Sequence, residues 1–440
     1  LSDETEAPIP APTLRTALRT WAYIGFNSVG GPAGQIAVMH RVIVEDKRWL
    51  SEERFLHALN FCMLLPGPEA TQLATYTGWL LHGVRGGIAA GLLFVLPGAL
   101  FMLALTMAYA AWQDVPAVDA VMFGMKAAVL AIVVEAMQRI SQRALKDRFA
   151  YAIAAAAFLA IFLFKVPFPL VVLAAALTGW WRSRGALPAP EVGEEMPPAR
   201  LEHAHTLRTL FVWGGLWLAP LAALLFLFGP GSTWFQIGLF FSKTAVVTFG
   251  GAYAVLAYIA QQAVDTYHWM LPHEMADGLA FAETTPGPLI LVTQFVGFLA
   301  AWRDPGILSP MLAGALGATL TIWVTFAPCF LWIFLGAPYI EALRHHHGLS
   351  AALAAITSAV VGVVLNLAMW FGLHVLFEEV SDIPLGPLHV PAPNWHSLDI
   401  PALLLTLAAL IAVLRFRAGV LPVLAVCAIA GAAWKLSMGG

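Results

Sequence analysis

Two Pro-Gly-Pro triplets, Pro66-Gly67-Pro68 and Pro286-Gly287-Pro288, lie inside apolar stretches of a 440-residue chain. Proline removes a backbone donor and clashes with the preceding turn, so each triplet should break its helix. A new helix then begins within the apolar stretch, with its first N–H groups unpaired and the positive end of its dipole exposed. Such a start favours an anion. A pair of purely structural kinks is the competing reading. Gly30-Gly31 and Gly250-Gly251 add positions where the backbone can approach either a ligand or another helix closely.

Charged residues narrow the chemistry. Lys126 and Lys243 sit well inside apolar windows, where burial of an ion is costly and an ionisable group is a functional candidate. Lys243 precedes Gly250 by seven residues, two helical turns, which puts both on one face about 10 Å apart along the axis. That makes Lys243 the first choice for an anion contact. Lys126 can instead pair with an acid on another helix or snorkel. Glu283 falls at a helix carboxy end just before the second triplet, where the dipole disfavours a carboxylate and a proton carrier is suited. Glu69 follows the first triplet at a helix amino end; it reads either as a dipole-matched cap or as a second proton-coupling group. If charged and close, it would repel an anion.

Other reactive types form no set. Cys62, Cys329 and Cys427 fall in apolar stretches with no ligand spacing and read as buried small hydrophobes. His345-His346-His347 reads as part of a solvated loop rather than a metal tract. No haem, flavin or metal ligand set is recognisable, so neither an enzyme nor a cofactor is expected.

The elements that must position these residues are membrane helices. Hydrophobic residues make up 60% of the chain and charged residues 11%, where soluble domains carry about 25% charged. The net charge of −3 argues against a nucleic-acid partner. Hydropathy gives about thirteen candidate spans, near 14–38, 58–82, 87–111, 118–138, 149–165, 168–181, 207–228, 233–260, 276–301, 308–336, 351–377, 399–414 and 418–436. The pairs at 149–181 and 399–436 are short enough to be helical hairpins that do not cross.

A displacement of 220 residues aligns Gly30-Gly31 with Gly250-Gly251, Trp49 with Trp269, Phe61 with Phe281, and the two Pro-Gly-Pro triplets, without a gap. Past the triplets the register shifts, and Pro97 falls opposite Pro328. The chain therefore divides into a flexible tail at 1–13, a first transmembrane repeat at 14–181, a linker at 182–206, a single helix at 207–228 and a second repeat at 233–436. The unpaired helix turns the second half over, which predicts inverted repeats with the substrate site at their interface. Lys243 has Tyr23 as its repeat partner, so that site is asymmetric.

Loop charge sets the orientation. A cytoplasmic amino terminus puts Arg85, Arg139, Arg143, Lys146, Arg148, Arg182, Arg184, Arg200, Arg208, Arg344, Arg415 and Arg417 inside and the carboxy terminus outside. Arg41, Lys47, Arg48 and Arg54 then fall outside, unless the first element is re-entrant or nearby acids balance them.

These motifs resemble a known family. Phe26-Asn-Ser-Val-Gly-Gly-Pro-Ala-Gly-Gln-Ile-Ala, Arg48-Trp-Leu-Ser and Phe55-Leu-His-Ala-Leu-Asn-Phe-Cys-Met-Leu-Leu-Pro-Gly-Pro-Glu-Ala look like the chromate ion transporter family. Thr248-Phe-Gly-Gly-Ala-Tyr and Thr284-Thr-Pro-Gly-Pro-Leu do so in the second half. Val29 departs from the phenylalanine often found there, which Phe249 keeps. The resemblance implies chromate export across the bacterial inner membrane, driven by protons or the membrane potential, with chromate resistance as the result. Helix amino ends, glycine N–H groups, Thr284, Thr285 and a lysine would suit a tetrahedral dianion. The same groups would accept sulfate, so a sulfate or related oxyanion carrier is the alternative. A channel-forming or structural membrane protein is the reading from another class. A homodimer is left open.

Overall fold

The computed structural model describes residues 12–184, 203–249, 251–337 and 347–438. The tail before Pro12, most of the linker, Gly250 and His345-His346 lie outside the described residues. The fold is a bundle of helices. In the first half these are α1 (Leu14–Asn27), α2 (Gly31–His40), α3 (Glu52–Leu64), α4 (Glu69–Trp112), α5 (Pro116–Ala144), α6 (Arg148–Phe162) and α7 (Phe168–Ser183). α8 (His203–Phe228) follows. The second half has α9 (Thr233–Val247), α10 (Ala252–Gln261), α11 (Pro272–Thr284), α12 (Val292–Arg303), α13 (Pro310–Gly336), α14 (His347–Leu376), α15 (Ile400–Leu410) and α16 (Val420–Ser437).

Among the described residues six helices are long and apolar enough to cross a membrane: α4, α5, α8 from Thr206, α13, α14 from Gly348, and α16. The chain is an all-α membrane protein. Both Pro-Gly-Pro triplets do interrupt helices, between α3 and α4 and again between α11 and α12. A short 3-10 turn, Leu289–Leu291, follows the second. α4 carries a further kink at His82 and Gly83, where Gly83 has φ +60°. A β-hairpin, β1 (Val380–Leu385) with β2 (Leu388–Pro393), lies between α14 and α15; hydropathy carries no signal for it.

Backbone details recur 220 residues apart. α2 runs on as a π turn at Arg41–Asp46, and α10 as one at Gln262–Thr266. Each is closed by a left-handed residue, Arg48 at φ 52° and His268 at φ 53°. Trp49 then donates its amide to Ile43, and Trp269 to Ala263, both at 2.8 Å. The same device recurs in the turns after α6 and α15, at Lys165 and Arg417, both at φ 51°.

The contacts at the helix ends fix how the elements run. His82 bonds the carbonyl of Pro12 at 2.7 Å, so the kink of α4 lies beside the start of α1. α3 returns along the first part of α4, with Phe61 and Tyr76 rings 5.2 Å apart. His40 meets Glu52 at 2.5 Å. α2 and α3 therefore turn around at the end of the bundle where α1 begins. At the opposite end Thr233 of α9 bonds Asp304 at 2.6 Å, Arg303 bonds the carbonyl of Trp269 at 2.5 Å, and Lys435 of α16 reaches Asp119 of α5 at 3.5 Å.

α6 and α7 form a hairpin on α14, and α15 and α16 form one on α5. Their small residues allow this closeness: Gly179 packs on Ala351, and Gly124 on the backbone at Cys427 and Ala428. Asp147 caps α6 by accepting the Ala150 amide at 2.8 Å and meets Arg182 at 3.3 Å. The Ala150 hydrogen bond first, and the Arg182 guanidinium after it, hold the Asp147 carboxyl below its usual range.

Candidate functional site

The four helix breaks are joined in two pairs, each across the two halves. α1 ends at Ser28, whose hydroxyl donates back to Ile24 at 2.7 Å. α9 ends at Thr248, whose hydroxyl donates back to Thr244 at 2.6 Å. The backbone carbonyls of Ser28 and Thr248 themselves are left for other donors. The amide of Gly67 donates to the carbonyl of Thr248 at 2.8 Å, and the amide of Gly287 donates to the carbonyl of Ser28 at 2.7 Å. Each triplet is thus tied to the break of the other half.

Side chains secure the same crossings. Gln35 donates to the carbonyl of Gly287 at 2.7 Å, and Gln72 to that of Pro66 at 2.6 Å. Pro286 packs against Gly98 of α4, and Gly67 sits beside Cys329 of α13, adjacent to Pro328. Glycine is required at 67 and 287 because φ is +122° and +88° there.

The N–H groups of Gly67 and Gly287 are committed to protein carbonyls, so among the glycine N–H groups named for a dianion these two are not free donors. Thr284 and Thr285 likewise donate their hydroxyls to Phe281 and Ala282, at 2.9 and 3.2 Å; either oxygen can still accept. The unpaired donors are instead the first amides of the helices that follow. In α4 the first bonded amide is that of Gln72, to Pro68 at 3.1 Å. Glu69, half-buried, occupies that amino end, flanked by Pro66, Gly67 and Pro68.

At the amino end of α2, Gly30 and Gly31 have φ +93° and +73°. A side chain at Gly31 would lie 3.8 Å from the hydroxyl of Tyr253. That hydroxyl donates to Glu283 at 2.7 Å. Glu283 is buried, at 2% exposure. Gly31, Tyr253, Glu283 and the second triplet therefore form one cluster built from both halves. Gly251, at φ +101°, caps α10 and carries Tyr253 two residues on.

The two lysines fall elsewhere. Lys126 pairs with Asp277 of α11 at 3.7 Å. Lys243 stands on the exposed face of α9, between buried Ser242 and Thr244.

Asp277, Glu274, Tyr253, Gln35 and Gln72 were not singled out by the sequence argument. Asp277 lies within the apolar window 276–301, so the rule that picked out Glu283 covers it as well. Glu274 and Arg303 pair at 2.6 Å from positions just outside that window's ends. Gln35 and Tyr253 fall inside the family-like motifs, which could have flagged them; Gln72 carries no such signal. Among the described residues no group of three or more His, Cys, Asp or Glu is placed to hold a metal ion.

The profile of the chromate transporter family matches residues 15–180 and 235–432. The chain belongs to that family. Its two matched stretches are the two halves described above, with α8 between them. A chromate transport protein of Pseudomonas aeruginosa is 31% identical over 88% of this chain and 87% of its own length. One from Cupriavidus metallidurans is 26% identical over 85% and 86%. A probable chromate transport protein of Synechococcus elongatus is 27% identical over 84% and 87%. No solved structure matches this member of the chromate transporter family.

Proposed function

We propose that the chain is a secondary transporter that exports chromate across the bacterial inner membrane and so confers chromate resistance. The observation that carries this is the reciprocal bonding of Gly67 to Thr248 and of Gly287 to Ser28 in a chain of the chromate transporter family. It holds two pairs of broken helices together at one place, where alternating access needs a site common to both halves. The substrate site is the set of breaks: Gly30, Gly31, Gly250 and Gly251, with both Pro-Gly-Pro triplets as its frame and Thr284 and Thr285 on its wall. Glu283, held by Tyr253, carries the coupling proton, with Glu69 as the second coupling carboxyl. Lys243, being exposed, acts on the approaching dianion through its field, and Lys126 acts through its pairing with Asp277.

In this reading 14–181 and 233–436 are inverted repeats, and 207–228 is the helix that turns the second over. α5 starts where α16 ends, whereas α14 starts where α7 ends, with Gly348 against Trp180. That opposition of α5 and α14 supports the inversion. The end carrying Arg139, Arg143, Lys146, Arg148, Arg182 and Arg184 is the cytoplasmic one. Because α2 and α3 turn back to the end where α1 begins, Arg41, Lys47, Arg48 and Arg54 join that positive end. The re-entrant path thus removes the charge exception of the sequence argument. The amino terminus is cytoplasmic and the carboxy terminus periplasmic.

The test is radiolabelled chromate flux in proteoliposomes of known orientation, with sulfate as competitor. Chromate movement driven by an imposed pH gradient or potential supports the reading. Sulfate transport without chromate transport would make the chain an oxyanion carrier of the alternative kind, and flux of neither ion overturns both.

A further inference from the structure

Three buried carboxylates lie on α11, and their surroundings differ. Glu274 is fully engaged: one oxygen takes Arg303 at 2.6 Å and the other the Leu271 amide at 2.7 Å. It is a helix cap and clamp. Glu283 accepts from Tyr253 and lines none of the described cavities. Asp277 is 2% exposed, yet one of its oxygens, Oδ1, accepts no hydrogen bond. Its nearest opposite charge, Lys126 Nζ, stands at 3.7 Å, beyond the ~2.7–2.9 Å of a charge-assisted bond. Oδ2 has only the hydroxyl of Tyr109, at 3.0 Å.

A cavity of about 230 Å³ opens onto this carboxylate from the end of the bundle, between Tyr109, Asp119, His273, Glu274 and Arg303. A second, of about 140 Å³, reaches Lys126 beside His374, Glu378 and Asp399. The pair therefore stands between two polar spaces, one partner facing each. A buried ion pair that is so poorly satisfied is costly to keep, and an intramembrane acid reached by water is a group that can exchange a proton.

We propose that Asp277 is a proton-binding site, loaded through the cavity between α4, α5, α11 and α12, whose occupancy unlatches α11 from α5. The step balances simply. Hydronium in the cavity gives one proton to the Asp277 carboxylate and leaves as water. Lys126 keeps its own proton and loses its counter-charge. The charged and titratable groups around Asp277 are Tyr109 of α4, Asp114 before α5, Asp119 and Lys126 of α5, His273 and Glu274 of α11, and Arg303 of α12. Beyond Lys126 lie His374 of α14, Glu378 and Asp399, and Lys435 of α16 is tied to Asp119. α11 ends at the second Pro-Gly-Pro triplet, and Asp277 and Glu283 are about 9 Å apart along it. A shift of α11 against α5 thus moves the break directly. Coupling to chromate rests on the transport reading above; proton binding does not.

The test is infrared difference spectroscopy of the purified full-length protein in lipid, stepped in pH with no anion present. A protonated-carboxyl band should appear on acidification and vanish in Asp277→Asn. In Lys126→Gln the same band should persist at pH values where the wild type has lost it. Asp277→Glu, which keeps the charge, should move the band in frequency and keeps the test alive where the Asn variant fails to fold. An Asn variant with every wild-type carboxyl band, or a Glu variant with none of them moved, overturns the proposal. In proteoliposomes Asp277→Asn should lose the response of chromate flux to an imposed pH gradient. Absence of chromate flux in the wild type would refute the transport reading and leave the infrared result to decide this one.

Discussion

Gly67 donates its amide hydrogen to the carbonyl of Thr248 at 2.8 Å, across the boundary between the halves. Its counterpart, Gly287 to Ser28, makes the same bond in the other direction. A substitution at this crossing should cost more than one at a merely left-handed glycine. In Gly67→Ala the new carbon would meet Gln72 Nε2 at 2.9 Å and Cys329 Sγ at 3.3 Å, with φ at +122°. Backbone strain and the displaced Gln72 bond together cost about 2 to 4 kcal/mol. Gly30→Ala, with φ +93° and no atom within 4 Å, carries the strain alone, about 1 to 2 kcal/mol. Thermal unfolding in detergent measures both, and equal losses would remove the crossing as a structural tie.

The second prediction concerns Lys243. An exposed cation attracts a dianion over distance and is screened by salt. Lys243→Gln should raise the half-saturating chromate concentration about three- to tenfold at low ionic strength, with the difference shrinking in high salt. Lys243→Arg should keep wild-type behaviour, because only charge is needed. A salt-independent loss would mean a direct hydrogen bond in place of a field effect.

Much of the frame was legible before the fold was known. The Pro-Gly-Pro triplets are covalent obstacles to a helix, so their breaks need no tertiary information. The repeat was equally readable, because Gly30-Gly31, Trp49 and Pro66-Gly67-Pro68 recur without a gap. What was not legible is where the freed backbone groups go. The amides of Gly67 and Gly287 find carbonyls 181 and 259 residues distant in sequence, at Thr248 and Ser28, and no local rule points to such partners. For Lys243 an apolar window fixes depth along the chain and not direction, and the side chain stands on the exposed face of α9. Lys126 shows the reverse case: the cost of burying it demanded an acid, and Asp277 supplies one.

A third prediction lies outside the membrane, at the cap of α6. Hydrogen bonding from Ala150 holds Asp147 below its usual range. A carboxyl lowered on folding stabilises above its unfolded value, about 3.9, and that contribution is lost as pH falls through the lower folded value. Asp147→Asn keeps the cap and loses the charge. Its stability should therefore fall below wild type at neutral pH and converge with it in acid. Thermal scans across that range test this, and a difference independent of pH would assign the effect to packing.

The last prediction concerns Glu283 at the junction of the halves. The carboxylate is buried and held by Tyr253, whose hydroxyl also stands beside Gly31 of the first half. A proton gained or lost here changes the charge next to the second triplet, and Tyr253 stands where that change reaches Gly31 of the first half. Glu283→Gln preserves size and a hydrogen-bond acceptor for Tyr253, so folding and chromate binding should survive. Dependence of transport on pH should not. Tyr253→Phe keeps the titrating group and removes its partner, leaving a buried oxygen short of a bond at about 1 to 3 kcal/mol. That variant should keep a pH-dependent rate with a displaced midpoint. Flux in proteoliposomes over a pH series separates the two. Wild-type pH dependence in Glu283→Gln would take Glu283 out of the coupling and leave a structural clamp between α10 and α11.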